Sequence, residues 1–130
     1  MARANQVGRT VRLSLAADTS AAGESRQFVR SHLRGAVERD IIDVVELLTS
    51  ELVTNAVVHT GVPRVLVLVL APDHVRVEVE DGSSRPPVLV QSLPATSLTG
   101  RGIRIVEALS TRWGVEPVAK GKRVWFEVAW

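Results

Sequence analysis

The sequence predicts a two-layer α+β sandwich, in which helices cover one face of a mixed, mostly antiparallel sheet. Apolar periodicity alternates between the strand and helix patterns, in the order β-α-α-β-β-loop-α-β-β. Two pairs of consecutive strands are joined by turns of a few residues, which favours antiparallel pairing. A chain of 130 residues is typical of one domain, so residues 1–130 are taken as a single domain.

The first strand and the first helix are marked by alternation and by capping residues. Residues 8–16 alternate apolar and polar side chains, which is typical of a strand with one buried face. Asp18, Thr19 and Ser20 follow, and all three residue types are preferred helix N-caps. The helix that they open is predicted to end near Gly35, since glycine favours a helix C-terminus.

A second helix is predicted from residue 41 to about residue 59. Asp40 can cap it, and Gly61 and Pro63 lie just beyond its end, as helix-terminating residues do. The remaining elements are a hairpin of strands 64–71 and 74–81, a short helix over about 102–109, and strands 112–118 and 123–130. Residues 82–99 are rich in Ser and Pro, and so long a stretch without periodicity is often functional, for example a lid.

Composition excludes several classes of function. The chain has no cysteine, which rules out disulfides, thiol catalysis and cysteine-ligated zinc. Its 16 Lys and Arg against 14 Asp and Glu are spread along the chain, and aromatic residues are few, which argues against a nucleic-acid-binding stripe. The N-terminal residues lack the apolar core of a signal peptide, and the longest apolar run, 65–71, is too short for a bilayer. We therefore expect a cytoplasmic protein without direct nucleic-acid or membrane partners.

The second helix carries two polar residues on or beside its apolar side. An advance of about 100° per residue groups Ile41, Val44, Val45, Leu48, Leu52 and Ala56 into one apolar arc. Asn55 falls inside this arc, and Glu51 lies at its edge. A buried amide without a partner costs roughly 1–3 kcal/mol, so both side chains need one. Either Asn55 bonds a backbone group and Glu51 reaches solvent, or both meet a ligand.

Asp81 is a third polar residue of this kind. Alternation in the strand 74–81 puts its side chain on the same face as Val75, Val77 and Val79. The alternative is that the strand has already ended and that Asp81 opens a turn with Gly82.

A glycine-containing segment, Thr99-Gly100-Arg101-Gly102-Ile103, leads into the third helix. Glycines let backbone amides approach an anion closely, and a helix N-terminus favours negative charge. The segment is not a Rossmann fingerprint, because Ile105 stands where the third glycine belongs, and the chain has no P-loop.

Taken in order, these segments resemble the GHKL ATPase superfamily, which has the Bergerat (histidine kinase-like ATPase) fold. They look most like its small single-domain members, the bacterial anti-sigma-factor serine/threonine kinases. Residues 51–59, Glu-Leu-Val-Thr-Asn-Ala-Val-Val-His, resemble the N box. Asp81-Gly82 resembles the start of the first glycine box, and residues 100–103 resemble the second. The resemblance covers nearly the whole chain, and the N box is its specific part.

The resemblance implies a site for ATP and Mg²⁺. Asn55 would ligate Mg²⁺, and Glu51 would be the general base that activates a serine hydroxyl or water. Asp81 would accept a hydrogen bond from the adenine amino group, and residues 82–101 would form a mobile ATP lid. Backbone amides of the second box would bind the phosphates, and its residues are Gly100, Arg101, Gly102 and Ile103.

The same resemblance implies the partners. They would be a sigma factor and an anti-sigma-antagonist (STAS-type) protein, which the kinase would phosphorylate on Ser or Thr. A homodimer through the first strand is compatible with the sequence, which does not demand it.

The sequence departs from the superfamily pattern in two places. Ser83 and Arg85 stand at the later glycine positions of the first box. Near the C-terminus Gly121-Lys122-Arg123 stands where Gly-x-Thr is frequent. Despite these changes we still expect ATP binding, but they leave open whether the domain turns over ATP as a kinase. The alternative function is therefore an ATP-binding protein-interaction module without kinase turnover.

Overall fold

The computed structural model describes residues 8–83 and 98–130, and for residues 98–103 it describes the backbone alone. Within these ranges the chain forms five strands, three α-helices and a π-helical segment. Their bounds are β1 Arg9–Ser14, α1 Ser20–Leu33, α2 Arg39–Asn55, the π-helical segment Ala56–Thr60, β2 Pro63–Leu70, β3 His74–Asp81, α3 Leu98–Leu109, β4 Arg112–Val118 and β5 Gly121–Ala129.

The strands form one sheet with the order β1-β2-β3-β5-β4. Each described pairing is antiparallel. The hairpins β2–β3 and β4–β5 are joined by tight turns, which return the chain beside itself in the opposite direction. All three helices contribute to a single core that lies on one face of the sheet. The predicted α+β sandwich is therefore confirmed, with a sheet that is antiparallel throughout the described strands.

The core lies between the inner face of the sheet and the helices. Strand side chains enter it at alternate positions, as the pleat requires. The fully buried ones on the sheet side are Leu66, Leu68, Leu70, Val75, Val77, Val79 and Phe126. The helices meet them with Val29, Leu33, Val45, Leu48, Val53 and Val106. Burying a side chain of this kind contributes roughly 1.5–3 kcal/mol, so this cluster holds the two layers together.

The start of α1 uses the predicted capping residues, with Thr19 at the N-cap position, whereas the start of α2 does not use the predicted cap Asp40. Asp18, one residue before the N-cap position of α1, accepts the Ser20 backbone N–H at 2.8 Å. Hydrogen bonds from the Ser20 hydroxyl and backbone hold the pKa of Asp18 below its ordinary value. In α2 the N-cap position belongs to Glu38, and Asp40 lies in the first turn, where the helix dipole favours a carboxylate. Among the described residues, no helix is both long and apolar enough to cross a membrane.

The outer face of β3, β5 and β4 carries a network of charged side chains centred on Arg76. The Arg76 guanidinium donates hydrogen bonds to Glu78 at 2.7 Å, Glu127 at 3.1 Å and Glu116 at 3.2 Å. It also lies 4.1 Å from the ring centroid of Trp125, in a cation–π contact. Several charges that share partners hold one another in place better than isolated surface pairs do.

Glu127 is the most buried acid of this network, with 6% of its surface exposed. Burial raises the pKa of Glu127, but the guanidiniums of Arg112 and Arg76 donate hydrogen bonds to its carboxylate and lower it. The pKa consequently lies below the ordinary value of 4.5. The folded state therefore stabilises the ionised form of Glu127.

We expect the variant Glu127→Gln to lower the free energy of unfolding by roughly 1–3 kcal/mol near neutral pH, because hydrogen bonds to a charged group are lost. A depressed folded-state pKa contributes stability above the ordinary value of 4.5, and that stability is lost as the pH falls through the folded pKa. In urea titrations, the difference between wild type and variant should shrink between pH about 7 and about 3.

The matched control is Glu107→Gln, which changes an exposed glutamate of α3. It should change the unfolding free energy by less than about 0.5 kcal/mol. A difference between wild type and Glu127→Gln that stays equal at both pH values contradicts the prediction.

Candidate functional site

Glu51 and Asn55 lie one turn apart on α2, and both are half-buried. The buried face of α2 consists of Ile42, Val45, Leu48, Thr49, Leu52 and Val53. Compared with the predicted apolar arc, which contained Asn55, this buried face is rotated toward Thr49 and Val53. Asn55 therefore lies at the flank of the buried face, and the prediction is corrected on this point.

Packing of α1 explains the rotation. Arg30 of α1 pairs with Glu46 of α2 at 2.7 Å, and Arg26 donates to Ser50 at 2.9 Å. Glu46 and Ser50 lie on the other side of α2 from Glu51 and Asn55, given the helical repeat. The flank that carries Glu51 and Asn55 thus faces away from α1. Further neighbours of α2 are α3, β3 and β5, which carry the other candidate residues.

The helix changes its geometry directly after Asn55. The π-helical segment closes with a hydrogen bond from the Gly61 N–H to the Ala56 carbonyl at 3.1 Å, and Gly61 adopts a φ of 67°. The Thr60 hydroxyl donates to the same carbonyl at 2.5 Å. Because this turn holds one more residue than an α-turn, His59 leaves the row formed by Glu51 and Asn55. Single π turns of this kind are frequent at functional sites.

Asp81 is the last residue of β3, and only 2% of its surface is exposed. Its side chain is on the inner face, on the side of the buried valines of β3, as alternation predicts. Its carboxylate also accepts the Ser83 backbone N–H at 2.9 Å, which is the local bond of an Asx turn. Both interpretations of Asp81 therefore apply: it ends the inner face of the strand and it begins a turn.

Lys122 of β5 is the partner of this carboxylate. The Lys122 Nζ lies 3.1 Å from Asp81 Oδ1 and 3.0 Å from Asp81 Oδ2. Lys122 is 7% exposed and stands directly opposite Asp81 in the β3–β5 register. Two charges removed from water in this way are stable only when they are paired. The end of the inner face is therefore an ion pair.

In the sequence, Lys122 stands out only as a departure from a family pattern, and this ion pair was not predicted. A signal was present in the strand pattern, because Val124, Phe126 and Val128 share a face and the same alternation puts Lys122 on it. A lysine at that position in a strand needs an acid, and Asp81 has the same inward position on its own strand.

Gly121 lets β5 come close to β3 beside this pair. A Cβ at Gly121 would lie 1.9 Å from the Asp81 carbonyl oxygen, a distance that no side chain can occupy. The turn before it is made by Lys120, which takes a φ of 63°. Glycine is thus required at residue 121 because the two strands approach closely there. The positive φ of the turn is adopted by Lys120, not by Gly121.

The predicted phosphate-binding residues Gly100, Arg101, Gly102 and Ile103 lie within the first turns of α3, which begins at Leu98 rather than near residue 102. In an α-helix of these bounds, the amide of Gly100 is among the first that have no intrahelical acceptor. The amides of Arg101, Gly102 and Ile103 lie where a helix uses its N–H groups internally. Of the predicted lid, residues 84–97 with Arg85 lie outside the described residues.

A family model described as histidine kinase-like ATPase domain matches residues 15–128. The chain belongs to this family. The fold of this chain is similar to that in a crystal structure of the RsbU and RsbW domains of a Mycobacterium tuberculosis protein, with a TM-score of 0.70 and 22% sequence identity. That match covers 93% of this chain and 32% of the other, so the domain spans about a third of that protein's length.

A curated relative of the ATPase domain is an uncharacterized protein of Streptomyces coelicolor. It is 37% identical over 71 residues, which cover 52% of this chain and 68% of the relative. Family membership implies nucleotide binding, usually with Mg²⁺.

The residues of this ATPase domain fit such a ligand in part. A buried carboxylate at the end of β3 is an acceptor for a base amino group, and the α3 N-terminus suits phosphate. Asn55 offers an amide oxygen, and Mg²⁺ prefers oxygen ligands while it keeps several waters. Among the described residues, no group of three or more His, Cys, Asp and Glu could hold a metal ion. The Asp81–Lys122 pair is the feature that a simple adenine acceptor would not need.

We expect Gly121→Ala to lower the free energy of unfolding by roughly 1–3 kcal/mol, because the added methyl group must push β5 away from the Asp81 backbone. Gly23→Ala is the matched control, since Gly23 is the fourth residue of α1 and a Cβ there meets only the Arg26 guanidinium at 3.6 Å. That change should stabilise the domain by about 0.5–1 kcal/mol. Denaturant titrations measure both, and equal effects of the two variants contradict the packing role of Gly121.

Proposed function

We propose that the domain binds Mg-ATP and acts as an anti-sigma factor with serine/threonine kinase activity toward a STAS-type anti-sigma-antagonist. The observation that carries the proposal is the buried carboxylate of Asp81 at the end of β3, a strand that contacts α2, the helix that bears Glu51 and Asn55. Membership of the histidine kinase-like ATPase family supports the nucleotide. The fold shared with an RsbW domain supports a place in sigma-factor regulation, which the sequence resemblance also implies.

Each candidate residue has a role in this proposal that suits its surroundings. Asp81 accepts from the base, Asn55 holds the divalent ion through its amide oxygen, and Gly100, in the first turn of α3, donates its backbone N–H to phosphate. When bound, Mg²⁺ neutralises charge on the phosphates. Glu51 is a turn away from Asn55 and takes the proton of the attacking hydroxyl as general base.

A second candidate is a module that binds ATP and regulates its partner by contact alone. Ser83 at a glycine position of the first box favours this candidate, because the segment after Asp81 departs there from the family pattern. The two candidates share the nucleotide site and differ at Glu51.

Nucleotide binding is tested by thermal melts with Mg-ATP. At about 100 times Kd, binding to the native state adds roughly 2.7 kcal/mol, which raises Tm by roughly 5–15 °C for a domain of this size. We expect Asn55→Ala to lose most of this shift, because the ligand of the ion is removed. Thr54→Ala is the control, since Thr54 is also half-buried and lies beside Asn55 in sequence but on another side of α2. No Tm shift in the unaltered protein would falsify the ATP site.

Phosphoryl transfer is tested with the purified domain, Mg-ATP and a STAS-type protein from the same organism. The γ-phosphoryl group should pass to a Ser or Thr hydroxyl of that protein, detected by mass spectrometry. Glu51→Ala should slow the transfer roughly 10²–10⁴-fold, the usual contribution of a positioned base, while Mg-ATP still binds. Glu107→Ala, at an exposed position of α3, should keep the wild-type rate. Transfer that survives Glu51→Ala removes the base role, and regulation without any transfer favours the contact module.

A further inference from the structure

The polar end of the inner sheet face presents a donor and an acceptor together. Asp81 Oδ1 accepts from Ser83 N–H and from Lys122, whereas Asp81 Oδ2 accepts from Lys122 at 3.0 Å. A carboxylate oxygen has two lone pairs, so Oδ2 can take one more donor. Lys122 has three N–H bonds, of which one can be directed to a ligand while the others remain on the carboxylate.

Lys122 does not withdraw from this position at low cost. Both side chains are almost fully buried, and separating them would leave two unpaired charges out of water. Gly121 also holds the β5 backbone against β3 at this point. A base that reaches Asp81 therefore meets the ion pair as a unit, with Lys122 still present.

Purines differ in the pattern that they offer at the six-position edge. Adenine has an amino donor at the six position and an acceptor at N1. Hypoxanthine and guanine have the reverse pattern, with an oxygen acceptor at the six position and a donor at N1. A lone carboxylate is acceptor-only and faces a six-position oxygen with repulsion. A carboxylate paired with an ammonium offers one acceptor and one donor, so it can match both the adenine pattern and the 6-oxopurine pattern.

We propose that Lys122 is a specificity-determining residue that lets the base site accept 6-oxopurine nucleotides alongside adenine nucleotides. The proposal rests on the nucleotide site proposed above, with Asp81 at its base end. Lys122 supplies the donor that a six-position oxygen needs, and Asp81 keeps an acceptor for N1–H. For an adenine nucleotide the same two groups exchange roles, with Asp81 accepting from the amino group and Lys122 donating to N1.

The experiment compares Mg-ATP with Mg-ITP, because these nucleotides differ only at the six-position edge. Calorimetric titration of the wild-type domain should give dissociation constants within about tenfold of each other. Lys122→Met removes the donor and should raise the preference for ATP by roughly 10- to 100-fold, the discrimination of one good base contact. Lys122→Gln retains an N–H donor and should give an intermediate ratio.

The matched control is Lys120→Asn, which removes the neighbouring lysine, and asparagine tolerates the positive φ of that position. It should keep the wild-type ratio of the two affinities. If Lys122→Met fails to fold because Asp81 loses its partner, the wild-type ratio and Lys122→Gln decide the question.

The outcomes separate this inference from the proposed function. Binding of ATP with more than about 100-fold rejection of ITP by the wild type overturns the role of Lys122 and leaves the ATP site standing. An unchanged ratio in both Lys122 variants overturns it as well. ATP binding that appears only after Lys122 is replaced means that Lys122 blocks the base, which also overturns it. No binding of either nucleotide to any form overturns the proposed function, and this inference with it.

Discussion

Apolar side chains on one face of β2, β3 and β5 must be covered, and the helices of the domain lie where they cover them. The opposite face carries the network of charged side chains centred on Arg76. The sheet therefore has one apolar, buried face and one polar face. An antiparallel sheet can have such different faces, whereas a parallel sheet is covered on both. Because α2 contacts β3 and β5, the helix that bears Glu51 and Asn55 packs on the strands that bear Asp81 and Lys122. The candidate site is placed by this packing.

The ends of that inner face differ in chemistry from its middle. Valines and leucines fill the core, but the last positions of the face on β3 and β5 are Asp81 and Lys122. A hydrophobic pair of the same volume would often be as stable as a buried ion pair. Stability alone therefore gives little reason for this pair. A polar pair kept at the edge of the core is a feature that the proposed nucleotide site would use.

Irregular backbone geometry also occurs near Asn55 and Asp81. The chain changes from α- to π-helical geometry right after Asn55, and it brings Gly121 against the Asp81 carbonyl. The π-helical segment departs from regular α-helical hydrogen bonding, and the close approach requires a glycine. The pairing of β2 with β3 also shifts its register between Pro63 and Val65, where Pro63 stands opposite Asp81. Irregular geometry concentrated around candidate polar residues is what a site held in a fixed shape requires.

The sequence by itself determined the order of the elements and the inner faces of β1 and β3, and it predicted the inward position of Asp81 as one of two alternatives. These follow from periodicity, which depends only on neighbouring residues and on the geometry of the backbone. Strands β3 and β4 had the predicted bounds, because alternation ends sharply at their turns. The N box was recognisable because its Glu and Asn stand one helical turn apart.

Only the tertiary structure decided how far α2 is rotated, where α3 begins and what faces Asp81. The rotation depends on α1, which contacts Glu46 and Ser50 from a distant part of the chain. The Asp81–Lys122 pair joins residues that are 41 positions apart, and it exists only because β3 and β5 are neighbours in the sheet. Periodicity can place each residue on a face, but it carries no information about which distant residue meets it there.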